Sequence, residues 1–390
     1  MVTHDAPENP YRTVLVFASS PMSLDAWQPL SPGELLIARR GSIRWSSESA
    51  AQPSLSIDDA TSPPPRKPIH RGGDGLSNER AENSAPRLLR VVHETLYEYE
   101  QPVERSSHRL LLRPLSDRYQ QVLDHRLVVE PDVHRAAFED VFGNAALGLE
   151  IDSPYDRLSI QSETTVRLSP VPSLESRAGR HALSLPLSWM PWQRQMLSAY
   201  LLPPELPESQ LRELTAFAHA LSERNDGDVV TTLLDLNTTL FEDFEYVSGS
   251  TTNATTPFEV YESRRGVCQD FANLMICLAR LLQIPARYRM GYIHTGADYA
   301  NTIQSDASHA WVETYVPQVG WQGLDPTNGT QVGLDHIRVA CGRNYRDATP
   351  TSGTIYRGGG TETLSINVRV EQLETERDAP LPSLQAGDSA

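Results

Sequence analysis

The chain has 390 residues, more than one ordinary domain and enough for two with tails. It carries 34 Lys and Arg against 50 Asp and Glu, a net charge of −16 with a pI near 5.1, which speaks against nucleic acid or a membrane surface as partner. Mean hydropathy is −0.40, the longest apolar runs fall far short of the roughly 18 residues a membrane span needs, and Asp5 and Glu8 stand where a secretory leader would carry positive charge.

Three cysteines, Cys268, Cys277 and Cys341, are too few for a disulfide framework or a four-cysteine zinc site. With one of them as a reactive thiol, they fit a reducing, cytoplasmic location. Lys67 is the only lysine, which a genome biased toward arginine codons explains more simply than any chemistry does.

In chain order, residues 1–86 read as a disordered or low-complexity extension. The stretch 47–86 strings together Pro, Ser and Gly with few aromatic residues and cannot bury enough to offset its ordering entropy, while the apolar patches 14–17 and 35–37 could support a short local element. From 87 to 170 the texture becomes short runs rich in Val, Leu, Ile and Tyr, separated by turn residues, the pattern of an all-β, sandwich-like domain with a hairpin turn at Gly143-Asn144. Its polar residues His93, His108, Arg109 and Arg113 are expected on solvated strand faces, and its role as structural or substrate-orienting. Residues 171–206 form a Pro- and Trp-bearing connector. Helical spacing of apolar residues follows over 208–224 and 227–244, and Thr256-Pro257 opens a short helix through Glu262.

The chemistry concentrates between Arg264 and Gly329. Cys268 opens a helix ended by Pro285, with Ala272, Met275, Ile276, Ala279 and Leu282 on one apolar face. A thiol in the first turn of a helix meets the positive end of the macrodipole and unpaired N–H groups, and both favour the nucleophilic thiolate. Gly266 just upstream is expected to let a substrate approach the backbone. Cys277 lies mid-helix among apolar neighbours and reads as a core residue.

Residues 286–293 read as a strand, 308–316 as a second, and 321–326 as its return after a turn at 317–320. A turn near Gln318 sets Trp311 opposite Asp325, leaving His309 one diagonal step from that carboxylate, on the order of 7–8 Å between Cα atoms. A helix-start Cys, a strand His and an Asp before Pro each have a plainer structural reading when taken singly. Together, in the order Cys, His, Asp, they have the arrangement of a nucleophile, a base and an orienting carboxylate. Asp306 and Glu313 are rival carboxylates; Glu313 lies about 13 Å along an extended chain from His309, and Asp325 is favoured. A second oxyanion donor is not identifiable, with Tyr261, Gln269 and Trp311 as nearby candidates.

The segments RRGVCQDFANLMICLARLLQIPARYRMGYI and DASHAWVETYVPQVGWQGLDPTNG resemble the transglutaminase-like superfamily, in particular its bacterial branch of cysteine proteases. HETLYEYEQPV, HRLLLRPL and DVFGN resemble the β domain that precedes the core in that branch, so the likeness spans about residues 88–345. It implies an α+β, papain-like transglutaminase core behind the β domain; the catalytic domain is expected over 207–375, with 376–390 as a disordered tail. By the same resemblance Cys268 is the nucleophile, His309 the general base and Asp325 the residue that orients His309, acting through a thioester on a protein or peptide substrate.

Hydrolysis, as in a protease or amidase, is favoured; amine transfer and a non-catalytic protein-binding module are the alternatives. Relatives that remove glycans from asparagine carry paired CxxC zinc ligands not present here, and no loop has the dense carboxylates of a calcium site. No metal or organic cofactor is expected.

Overall fold

The computed structural model describes residues 85–178, 183–295 and 307–374, together with the backbone of four short strands nearer the N-terminus. The expected extension over 1–86, apart from those strands and residues 85–86, and the expected tail over 376–390 lie outside the described residues. By its contacts the chain forms two units, Met1–Pro63 with Glu205–Phe217, and Pro64–Pro204 with Ala218–Ala390. The first holds two antiparallel hairpins, β1 (Val2–Asp5) with β2 (Thr13–Val16) and β3 (Leu36–Arg39) with β4 (Ser42–Ser46).

The second unit is built around β5 (Arg87–Leu110), a strand of 24 residues. Its first half lies between β9 (Tyr155–Leu168) and β18 (Glu362–Leu373), and its second half between β8 (Ala145–Ile151) and β17 (Thr351–Gly358). The register breaks between Glu98 and Val103, around Pro102, whose missing N–H suits a ladder interruption. β6 (Gln120–Glu130) extends the sheet beyond β9, and β7 (His134–Glu139) beyond β8. The two halves share one apolar core of Tyr99, Val103, Leu110, Val129, Leu149, Ile151, Leu158 and Ile160. The hairpin at Gly143-Asn144 forms as expected: Gly143 has φ +80°, and the Asp140 carboxylate accepts from the N–H of Phe142 and Asn144, each at 2.9 Å.

Two expectations change here. Residues 351–373, assigned by sequence to the catalytic part, belong to the β domain, because β18 pairs with β5 from Glu362↔Tyr99 to Leu373↔Leu88. His93 and His108 are buried rather than solvated. His93 Nδ1 lies 2.8 Å from the Tyr292 hydroxyl and its Nε2 2.9 Å from the Thr95 hydroxyl, so it ties the β domain to the core.

The connector carries two helices, α1 (Leu174–Ala178) and α2 (Pro191–Leu201). α3 (Glu208–Glu223) and α4 (Val229–Asp243) follow near the expected bounds, α4 capped by the Asp228 carboxylate, which accepts from Thr231 N–H at 2.9 Å. α5 (Pro257–Ser263) starts with a capping box: Glu259 accepts from Thr256 N–H at 2.7 Å, and Thr256 Oγ1 accepts from Glu259 N–H at 3.3 Å. α6 (Cys268–Leu281) packs on a five-stranded antiparallel sheet. Its strands are β12 (Ala286–Ile293), β13 (His309–Val316), β14 (Gly320–Asp325), β15 (Thr330–Gln331) and β16 (His336–Gly342), in the order β15-β14-β13-β12-β16. α7 (Tyr345–Ala348) follows β16. The result is the expected α+β core behind an N-terminal β domain.

β13 is the middle strand and is covered on both faces; only Tyr315 is half-buried. Its polar residues are therefore interior groups that need partners.

Candidate active site

Cys268 is the first residue of α6 and is half-buried. The loop before it is held from two sides. β11 (Arg265–Gly266) pairs in parallel with β10 (Glu245–Tyr246), setting Tyr246 beside Gly266. Asp270, in the first turn, accepts from Val267 N–H at 2.8 Å and from the Thr251 hydroxyl at 2.6 Å. Gly266 has a packing reason that the sequence did not show. A Cβ there would stand 2.8 Å from the Asp270 Cβ and 3.2 Å from the Phe271 ring, so the glycine lets the loop press against α6.

Burial raises the phenols of Tyr246 and Tyr288, and charge on Cys268 adds to that in both, so two neutral hydroxyl groups accompany the thiol. Cys277 is fully buried in the helix, as expected, and burial pushes its thiol up to about 12.

His309 opens β13 and Asp325 ends β14; the register Val312↔Leu324 is the one a turn at Gln318 requires. His309 Nε2 lies 2.8 Å from Asp325 Oδ2, with both side chains 0 % exposed. Burial works against charge on His309, but the Asp325 carboxylate, with Cys268 as a further partner, outweighs it and raises the imidazole to about 10. Burial likewise opposes charge on Asp325, yet His309 and His336 hold it well below the usual carboxylate range.

Asp325 is unusually well provided with donors. Oδ2 also accepts from Asn328 Nδ2 at 2.7 Å, and Oδ1 accepts from the backbone N–H of Thr327 and Asn328 at 3.0 and 3.3 Å, an Asx turn across Asp325-Pro326-Thr327-Asn328.

Sequence reading missed one member of this group. His336 Nε2 lies 3.1 Å from the same Oδ2. Its Nδ1 accepts from Gly333 N–H at 3.5 Å, which leaves the proton on Nε2 to be donated to Asp325. The Trp311 ring stands edge-on to His336, with centroids 5.3 Å apart, and 5.9 Å from His309. The indole is fully buried and its Nε1 has no hydrogen-bond partner.

Of the rival carboxylates, Asp306 lies outside the described residues. Glu313 is committed elsewhere, accepting from Arg287 Nε at 2.7 Å and from Arg289 Nε and Nη2 at 3.0 and 2.7 Å. Among the described residues, His309, Asp325 and His336 are the one grouping with metal-ligand spacing, their ligand atoms lying within 4.8 Å of one another. Both imidazole Nε2 atoms already point at the carboxylate between them. The arrangement suits proton handling.

A cavity of about 440 Å³ has Ser308, the residue before His309, in its lining. Ser308 and Asn253 line it from the core, and Tyr97, Tyr99 and His108 from the β domain.

Residues 89–167 match the family described as the bacterial transglutaminase-like N-terminal region, and residues 215–326 the transglutaminase-like superfamily. An uncharacterized Mycobacterium tuberculosis protein is 33 % identical over 311 residues, 75 % of this chain and 95 % of that protein. A protein-glutamine gamma-glutamyltransferase of Pseudomonas aeruginosa is 33 % identical over 108 residues, 25 % of this chain and 16 % of that protein. Among solved structures, a candidate cysteine protease of Cytophaga hutchinsonii superposes with a TM-score of 0.58 at 22 % identity, covering 75 % of this chain and 93 % of that one. That likeness concerns the fold.

Proposed function

The chain belongs to the transglutaminase-like superfamily, and on that premise we propose that it is a thiol-dependent acyl-transfer enzyme, a cysteine protease or amidase acting on protein or peptide substrates. The observation that carries the reading is a thiol at the first position of α6 that acts on the charge of His309, a buried imidazole whose Nε2 is held by a buried carboxylate. Cys268 is the nucleophile, His309 the acid–base group, and Asp325 orients and charges His309.

With Nε2 bonded to Asp325, the nitrogen left for the thiol is Nδ1, which is buried and has no hydrogen-bond partner. Transfer of the thiol proton to Nδ1 gives a thiolate and an imidazolium, the pair favoured by the Asp325 charge and the helix N-terminus. The thiolate adds to an amide carbonyl, and the Cys268 backbone N–H helps hold the oxyanion. Nδ1–H then protonates the departing amine as the C–N bond breaks, leaving a thioester. Water, deprotonated by Nδ1, adds to the thioester; the carboxylic acid leaves and Cys268 is restored. A thiol nucleophile of this kind suits a reducing compartment, and we assign the chain to the cytoplasm.

Iodoacetamide at pH 6–7 with mass mapping of adducts tests the nucleophile. Cys268 reacts well ahead of Cys277 and Cys341, and equal rates at the three thiols would sink the assignment. Amine transfer is the second reading, favoured by the Pseudomonas aeruginosa relative. A Gln-containing peptide offered with and without a primary amine separates the two, because hydrolysis adds water and transfer adds the amine. Preferential amine incorporation would replace the protease reading.

A further inference from the structure

A second cavity, of about 410 Å³, opens on the face of the core sheet that carries Glu313, two and four residues along β13 from Trp311 and His309. The wall opposite comes from the β domain, through Asp117, Arg118 and Tyr119. We propose that this cavity binds a phosphate-type dianion, either free phosphate or the phosphoryl group of a small monoester.

The charge balance of the lining is the first ground. Its arginines are Arg118, Arg177, Arg287, Arg289 and Arg338, and its only carboxylates are Asp117 and Glu313. In a chain of net charge −16, the pocket is thus locally positive by three. Arg338 is neutralised by a two-pronged pair with Asp117, Nη1 to Oδ2 at 2.7 Å and Nη2 to Oδ1 at 2.8 Å. Glu313 alone answers both Arg287 and Arg289. Arg177 spends its guanidinium on neutral acceptors, the Gln322 side chain and the Val319 carbonyl. Arg118 is exposed at the rim and stacks on Tyr119, its Cζ 4.4 Å from the ring centroid.

The second ground is a donor with nothing to bond. Arg289 is 3 % exposed, and while Nε and Nη2 reach Glu313, its buried Nη1 has no hydrogen-bond partner. A buried guanidinium N–H left unpaired is costly, and an oxyanion beside it removes the cost. Arg287 is held in place over the Trp321 ring, its Cζ 4.1 Å from the centroid, so its charge is fixed without a second carboxylate. Preorganised arginines of net charge +3, on an apolar floor of Val319, Val332 and Trp321, match a compact dianion better than a single carboxylate.

Isothermal titration calorimetry on the full chain tests the site with inorganic phosphate in one arm and phenyl phosphate in the other, at pH 7.5 and low chloride. Binding is expected to be saturable at one site per chain and to weaken with added salt. The paired substitution Arg289→Gln with Glu313→Gln removes the buried cation together with its carboxylate; Arg287 loses the same carboxylate but keeps its place over the Trp321 ring. The paired substitution is expected to weaken binding about tenfold or more. Arg118→Ala, at the exposed rim, is expected to weaken it several-fold. Tighter phenyl phosphate binding identifies a monoester as the ligand, and equal or tighter inorganic phosphate identifies the free ion. No saturable heat in either arm from folded wild-type protein overturns the proposal, and so does unchanged affinity in both variants when their melting curves show them folded. Neither result bears on Cys268, so the catalytic reading stands or falls separately.

Discussion

Asp325→Asn preserves the shape of the site and reverses half of its hydrogen bonding. Asp325 Oδ2 receives three donors, His309 Nε2 at 2.8 Å, His336 Nε2 at 3.1 Å and Asn328 Nδ2 at 2.7 Å, while Oδ1 receives two backbone N–H groups. An amide placed with its nitrogen at the Oδ2 position faces three donors; turned over, it faces two backbone donors that cannot reverse. His309 can accommodate the first arrangement only by moving its proton to Nδ1, and that nitrogen can then no longer accept from Cys268. The charge is lost as well. Burial alone pushes His309 down, and the Asp325 carboxylate is the main group holding it at about 10. Without it burial pushes the imidazole down, and the charged form that supports the thiolate is lost at neutral pH. An acyl-transfer rate about 10³–10⁴-fold lower is the expected consequence, in the range known for removing the carboxylate of such a group. The assay is the second-order rate of Cys268 alkylation across pH 5–9, with amide turnover measured alongside. A variant that melts like the parent and stays within about threefold of it at every pH would refute the reasoning.

Three further outcomes follow from the same geometry. His336→Phe removes one donor to a buried carboxylate and is expected to slow turnover about tenfold, with the alkylation profile displaced in the same sense as for Asp325→Asn but by less; an unchanged profile would assign His336 a packing role only. Gly291→Ala places a Cβ 2.0 Å from the Ile337 carbonyl oxygen and 2.5 Å from the Trp311 ring, so chemical denaturation is expected to show a loss of about 2–3 kcal/mol. Burial lowers His93 to about 4 against 6.5 in the unfolded chain, so the neutral imidazole's contribution is complete above pH 6.5 and is lost as pH falls from 6.5 to about 4. That amounts to about 3 kcal/mol, and melting temperatures of His93→Gln are expected to fall less steeply than those of the parent across that window.

The order of elements, the helix bounds and the β13–β14 register were all legible because each rests on local rules. Pro257 after Thr256 and a turn at Gln318 each act within a few residues. Partnership at long range is not written that way. The segment 362–373 reads as a strand, but nothing in its alternation says that its partner is β5, more than 260 residues earlier. Local pattern also misjudged His93 and His108. A histidine on a strand face is solvated only if that face meets water, and here His93 meets Tyr292 of the core while His108 is held among Ser106 and Tyr155.

The candidate site divides along the same line. Cys268, His309 and Asp325 were legible because each sits at an element terminus, where side chains can converge and where the helix dipole or an Asx turn gives a residue type a reason to be there. His336 also begins a strand, but β16 enters the sheet beside β12, on the far side of β13 from β14, and only that order brings it to Asp325. The two histidines therefore reach one carboxylate oxygen from different strands, with the Trp311 ring against both. Such a group resists piecemeal change: His336 keeps the carboxylate charged and in place, the carboxylate keeps His309 charged, and His309 is what the thiol needs. The residue furthest from the thiol in this chain of contacts is thus expected to act on the pH dependence of the reaction rather than on binding of substrate.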